Sequence, residues 1–84
     1  MYSVFLEKNV IKFLEKQEKL TKERIIAKIE SLKENPFPSD AKRIVNIYDK
    51  VFRIRVGKYR VLYRIEDEKI VVIFLIGKRE NVYD

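Results

Sequence analysis

The 84-residue sequence contains no cysteine, no histidine and no tryptophan, and only two glycines and two prolines. Without cysteine no disulfide framework can form, which suits a reducing compartment. Without cysteine and histidine the usual ligands of zinc, iron and copper are missing, so no transition-metal site is expected. A Ser-His-Asp or Cys-His nucleophilic site is excluded because its base is absent. Long hydrophobic runs are also lacking. The longest, Ile70 to Ile76, has seven residues, against the ~20 that span a bilayer. The start, Met1-Tyr-Ser-Val-Phe-Leu-Glu-Lys, lacks the charged and then apolar layout of a signal peptide. A cytoplasmic protein with no membrane contact is the expectation.

What is present suits one small folded domain over residues 1–84. A hydrophobic fraction of 46% supplies one modest core, which must be efficient at this size. The net charge of +6 is unevenly placed. Residues 1–35 hold eight basic and six acidic side chains. Residues 42–64 hold Lys42, Arg43, Lys50, Arg53, Arg55, Lys58, Arg60 and Arg64 against Asp49 alone. A cluster of that density points to a polyanion, since phosphate contacts supply most non-specific nucleic-acid affinity. A solubilising charged surface is the plainer alternative.

Tyr2 to Leu6 is rich in strand formers and reads as a first strand. Val10, Phe13, Leu14 and Gln17 follow helical spacing, giving an amphipathic helix over 8–19. Thr21 offers a hydroxyl cap to a second helix, with Glu23 in its first turn. The apolar stripe of that helix is Ile25, Ile26, Ile29 and Leu32, and it ends near Asn35 before Pro36. Pro36-Phe-Pro-Ser-Asp separates the helices from four strands at roughly 42–47, 51–56, 59–66 and 69–77. The fold class is therefore α+β in the order β-α-α-β-β-β-β, a helical hairpin on a mainly antiparallel sheet.

Gly57-Lys58 fits a two-residue hairpin loop, glycine supplying the positive φ such turns require. That turn pairs Val56 with Tyr59, Arg55 with Arg60, Ile54 with Val61 and Arg53 with Leu62. Directly opposed residues share a sheet face. One face then carries Phe52, Ile54, Val56, Tyr59, Val61, Tyr63 and Ile65, a core face for the helices. The other carries Arg53, Arg55, Arg60, Leu62 and Arg64. Opposed like charges are unfavourable; an anion between them would explain the arrangement, and a solvated face whose arginines splay into water is the plainer alternative. Guanidinium groups meet phosphate oxygens two at a time, which lysine cannot do. The apolar run Ile70 to Ile76 reads as a central strand covered on both faces. Gly77 would let the chain bend at the sheet edge, and unbroken alternation through Leu75 puts Arg79 on the arginine face. Glu66-Asp67-Glu68 suits a polar hairpin turn better than a magnesium site, so no metal or cofactor is expected.

Phe52-Arg-Ile-Arg-Val-Gly-Lys-Tyr-Arg-Val-Leu-Tyr-Arg64, followed by a polar turn, an apolar strand and Ile76-Gly-Lys-Arg-Glu-Asn-Val-Tyr83, resembles the RelE/ParE toxin superfamily. The hairpin ending in Asn35-Pro36 and the segment Lys42-Arg43-Ile44 fit it too, so the resemblance spans nearly the whole chain. It implies a RelE-like toxin of a type II toxin-antitoxin system, an mRNA interferase that inhibits translation. The implied reaction is ribosome-dependent and metal-free: the 2′-hydroxyl attacks the neighbouring phosphate and leaves a 2′,3′-cyclic end. The family's catalytic positions fall on Arg53, Arg55, Arg60, Arg79 and Tyr83. Arg60 and Arg79 would grip the scissile phosphate, Arg53 and Arg55 would add field and orientation, and Tyr83 would stack on a base. Arg43, Lys42, Lys58, Arg64 and Lys78 are the candidate RNA-binding residues around them.

The sequence departs from the family pattern by carrying arginine at both 53 and 55, where lysine is common. Arginine stays protonated to about pH 12 and cannot act as a general base. That role would pass to Tyr83, Lys58 or Lys78 with a lowered pKa, or to the ribosome. The implied partners are messenger RNA, the ribosome and a cognate antitoxin, acidic and extended, forming a hetero-oligomer that covers the basic face. A ParE-like gyrase inhibitor and a non-catalytic RNA-binding module are the alternatives.

Overall fold

A computed structural model describes residues 1–44 and 50–78. The elements are β1 (Ser3–Leu6), α1 (Lys8–Glu15), α2 (Lys19–Ser31), β2 (Lys42–Arg43), β3 (Val51–Val56), β4 (Tyr59–Glu66) and β5 (Ile70–Lys78). They form one five-stranded sheet in the order β1-β5-β4-β3-β2. β1 runs parallel to β5 and every other neighbouring pair is antiparallel. The class is α+β, as the sequence order implies.

The β3–β4 register follows from the turn. Val56 pairs with Tyr59, Arg55 with Arg60, Ile54 with Val61 and Arg53 with Leu62. Gly57 has φ +57°, the positive first position of a II′-type hairpin. The β4–β5 connection is also tight: Asp67 and Glu68 have φ 49° and 64°, and Lys69 N–H donates to the Glu66 carbonyl at 3.3 Å. Positive φ at both central residues is the I′ pattern that matches strand twist. Glu66-Asp67-Glu68 is therefore a turn.

The helices cover one face. Val10 and Leu14 of α1, with Ile25 and Ile29 of α2 and Leu32 just beyond it, pack against Ile54, Val61, Tyr63, Val71, Ile73 and Ile76. Phe52, Val56, Tyr59 and Ile65 border this core, which completes the face that alternation assigns to the helices. Phe37 meets the Phe52 ring edge-on at 5.1 Å, and Phe52 stacks on its cross-strand partner Tyr63 at 5.7 Å. The Tyr63 hydroxyl donates to the Pro36 carbonyl at 2.7 Å, which ties the loop after α2 to the sheet centre. Burial pushes the Tyr63 phenol well above its ordinary pKa.

Three local expectations are corrected. Thr21 does not cap α2; the helix starts at Lys19, and its N-cap is Glu18 without a side-chain cap bond. The reason is the tightness of the link. α1 ends at Glu15, not at 19, and its last turn closes through Lys16 N–H to Phe13 and Gln17 N–H to Leu14. At its other end α2 tightens into i→i−3 bonds at Leu32, Lys33 and Glu34, which use up terminal carbonyls. β5 does not end at Gly77 but continues through it to Lys78. β2 is Lys42–Arg43, extended by Ile44 N–H to the Val51 carbonyl at 2.9 Å; the expected continuation over 45–47 lies outside the described residues.

Tyr63→Phe leaves the buried Pro36 carbonyl without its donor, which costs about 1–3 kcal/mol. Urea unfolding is expected to show a lower midpoint with unchanged slope. An unshifted midpoint would mean that this bond does not anchor the loop.

Candidate functional site

Backbone pairing assembles the arginine face in rows. Nearest the β3–β4 turn, Arg55 lies opposite Arg60, and Arg60 opposite Gly77. The next row runs Lys42, Arg53, Leu62, Leu75 across β2, β3, β4 and β5. The third runs Val51, Arg64, Val72, Phe5 across β3, β4, β5 and β1. Gly77 presents no side chain opposite Arg60, which leaves room for a long guanidinium. Arg53 and Arg60 are each only 4% exposed, whereas Arg55 and Lys42 are exposed. Their neighbours on this face, Val51, Leu62 and Val72, are buried as well. The face is thus part apolar, and Arg53 and Arg60 are buried within it together with their guanidinium ends.

A register shift between Leu62 and Tyr63 sets Leu75 opposite Leu62 and Ile73 opposite Tyr63. Phe74 is the extra residue, a β-bulge. Its carbonyl accepts a 2.9 Å hydrogen bond from Asn9 Nδ2 of α1. The Arg64 guanidinium lies 5.6 Å from the Phe74 ring centroid. Downstream of the bulge, Leu75 and Gly77 both fall on the arginine face, as the alternation requires. Arg79 and Tyr83 lie outside the described residues.

Arg64 is tied within the chain. Its Nε donates to Glu66 Oε2 at 2.6 Å, and a terminal nitrogen lies 3.2 Å from Glu7 Oε2. The bond to Glu66 raises the Arg64 pKa against the lowering effect of burial, and the bond to Glu7 adds to the rise. Arg64 keeps the face that alternation gives it, with its charge shared with two carboxylates of the same chain. Three further basic residues stand off the arginine face. Arg43 pairs with Phe52 and Lys78 with Tyr59, so both belong to the helix side. Lys58 sits in the turn, with Nζ 5.7 Å from the Tyr59 ring centroid. Strand alternation sends the neighbour of a face residue to the opposite side, which is why Lys42 stays and Arg43 goes.

The model of a family described as ParE toxin of type II toxin-antitoxin systems, parDE, matches residues 5–83. The chain belongs to the ParE toxin family. It is 36% identical to RelE1 of Methanocaldococcus jannaschii, assigned as a toxin, over 98% of this chain and 94% of that protein. The fold matches RelE in the archaeal RelE-RelB complex from Pyrococcus horikoshii OT3, with TM-score 0.83, 27% identity and coverage of 96% and 98% of the two chains. It also matches the toxin-antitoxin complex RelBE2 from Mycobacterium tuberculosis, with TM-score 0.78, 28% identity and coverage of 93% and 98%. The chain is a RelE-type toxin of the RelE/ParE superfamily.

In this toxin the structure brings together Arg53, Arg55, Arg60 and Lys42. Sequence reasoning missed the groups that hold the site's frame. Glu66 was legible as a partner of Arg64, two positions away on the same strand face. Glu7 and Asn9 were not, because the parallel β1 and α1 deliver them from the far end of the chain. Asp40 was also missed. Burial pushes its carboxyl up, but a bond from Lys28 at 3.1 Å and from backbone N–H groups, Arg55's among them, holds it below its ordinary value. Asp40 thereby links α2 to the strand that bears Arg53 and Arg55.

The Asp40 shift fixes a pH prediction. A depressed folded-state pKa adds stability that is present above the ordinary value of 3.8 and lost as pH falls through the folded value. Urea midpoints of the parent chain should exceed those of Asp40→Asn at neutral pH, and the gap should close in strong acid. A gap that stays constant into acid would assign the effect to packing instead.

Proposed function

We propose that this toxin cleaves messenger RNA on the ribosome, in the cytoplasm, and that an antitoxin holds it inactive until release. The observation that carries this reading is the hairpin register that sets Arg55 directly opposite Arg60, with Arg53 and Lys42 one row away. Such convergence of cations suits a phosphate whose charge grows during reaction. In the cleavage, the ribose 2′-oxygen bonds to the neighbouring phosphorus, the bond to the 5′-oxygen breaks, and a 2′,3′-cyclic phosphate remains. Prearranged guanidinium groups stabilise the charge on the phosphoryl oxygens. Arg55, exposed, meets the backbone first. Arg53 and Arg60 act from below, and direct contact with either requires a movement that uncovers it. Lys58 and Lys78 stand on the helix side of the hairpin end, so removal of the 2′-proton falls to Tyr83 or to the ribosome.

The antitoxin half of the reading draws on the relatives. The P. horikoshii and M. tuberculosis proteins are seen in toxin-antitoxin complexes, and the net charge of +6 suits an acidic, extended partner. The ParE description of the matching family favours a second reading, a gyrase-inhibiting toxin on the same fold.

Mapping of cut sites on ribosome-bound mRNA, beside a DNA supercoiling assay, separates the two. Cuts with 2′,3′-cyclic ends are expected. Arg55→Gln and Arg60→Lys, the latter chosen to keep the buried volume filled, should each slow cutting by ~10²–10³-fold while the folded circular-dichroism spectrum is kept. Cleavage at the parent rate in both variants would remove the opposed pair from the mechanism. Inhibition of supercoiling without cutting would establish the gyrase reading, and RNA binding with neither activity would leave a binding module.

A further inference from the structure

Across the sheet from the opposed arginines, a cleft of about 290 Å³ lies between α2 and the tip of the β3–β4 hairpin. It is lined by Thr21 and Arg24 of α2 and by Val56, Gly57, Lys58 and Tyr59 of the hairpin. No carboxylate lines it. Among the described residues none bonds to the Arg24 side chain, and Lys58 has only the Tyr59 ring beneath it. Two cations from separate elements therefore face one cleft without a counter-charge.

The walls are fixed before any ligand arrives. The Tyr59 hydroxyl lies 3.3 Å from Gln17 Oε1, to which it donates, and its ring packs edge-on against Phe13 at 5.8 Å. At Gly57 no atom comes within 4 Å of the place a Cβ would take, so a ligand can approach the bare backbone closely. The volume is near the lower limit of ligand clefts, ~300–1,000 Å³. It fits a phosphate with its sugar better than a length of folded peptide.

We propose that this cleft holds a second phosphate of the RNA strand whose scissile group lies on the arginine face. The assignment rests on the RNA-cleaving reading given above. Arg24 would grip the phosphate through two N–H groups, Lys58 would add a point charge, and the Thr21 hydroxyl would donate a hydrogen bond. An acidic protein segment could satisfy the same charges, but position favours RNA. The Val56–Tyr59 pair follows directly on the Arg55–Arg60 pair, a step of ~3.4 Å along the strand. A backbone leaving the arginine row over the hairpin tip runs into the cleft.

Fluorescence anisotropy of a short fluorescein-labelled single-stranded RNA, read over a salt series with the full chain, tests this. Arg24→Gln combined with Lys58→Gln should weaken binding several-fold and reduce the slope of log affinity against log salt by ~0.7, the share of one single-strand phosphate. Both side chains are exposed, so the fold should be untouched. Parent affinity and slope in the double variant, with binding still lost in Arg55→Gln, would overturn the cleft and leave the arginine face standing. No RNA binding by the parent chain would overturn the cleft, while the ribosome-dependent reading stands or falls by the mapping of cut sites. Polyglutamate that competes with RNA on the parent chain, and loses its own binding equally in the double variant, would show a general anion patch and also overturn the phosphate assignment. In the expected outcome amide resonances of Thr21 and Gly57 shift on addition of uridine monophosphate, and polyglutamate does not reproduce the shift.

Discussion

Arg55 and Arg60 are paired directly across neighbouring strands, and the rest of this chain is arranged so that this register holds. Like charges placed directly opposite each other do not themselves favour a strand pairing, so the register is set from elsewhere. The imposing force lies on the opposite face of the same strands. Ile54 and Val61 are completely buried there as a cross-strand pair, with Tyr63 beside them. A slip of one residue would carry this apolar set into solvent and the arginines into the core. Core burial on one side thereby fixes the charge on the other. Gly57 fixes the turn that begins the register.

The outer face divides its cations by how each is held. Arg64 is matched by Glu7 and Glu66 and stacked on Phe74. Arg53 and Arg60 lie low among Val51, Leu62 and Val72, while Arg55 and Lys42 reach solvent. A face with this gradation differs from a merely basic surface. Its ion-paired end joins the sheet to the chain's beginning, and its exposed end lies beside the hairpin tip. Any polyanion meets the exposed end first.

The sequence made most of this legible because alternation and turn chemistry are local. Gly57-Lys58 and the residues on either side were sufficient to pair the two strands residue by residue and to sort their side chains between faces. The same logic already separates Lys42 from Arg43, one step apart on an edge strand, though only the observed register with Arg53 and Phe52 says which goes where. What stayed hidden depends on long-range delivery. Glu7 reaches Arg64 through the parallel pairing of β1 with β5, and Arg24 meets Lys58 only once α2 has docked. The Thr21 cap failed for a different reason: cap chemistry was present, but a short interhelical link started the helix earlier.

The bulge at Phe74 carries a consequence for how such chains can vary over time. Tyr63 pairs with Ile73 and Leu62 with Leu75, so Phe74 belongs to neither match. A lineage that lost this codon would keep every remaining partner in place on both flanks. Loss of one codon at most other positions in β5 would instead reverse the facing of the residues that follow. Length variation between homologues should therefore gather at this site. Where it does, the amide at position 9 would have no spare carbonyl to bind, and the constraint on asparagine there would lapse with it.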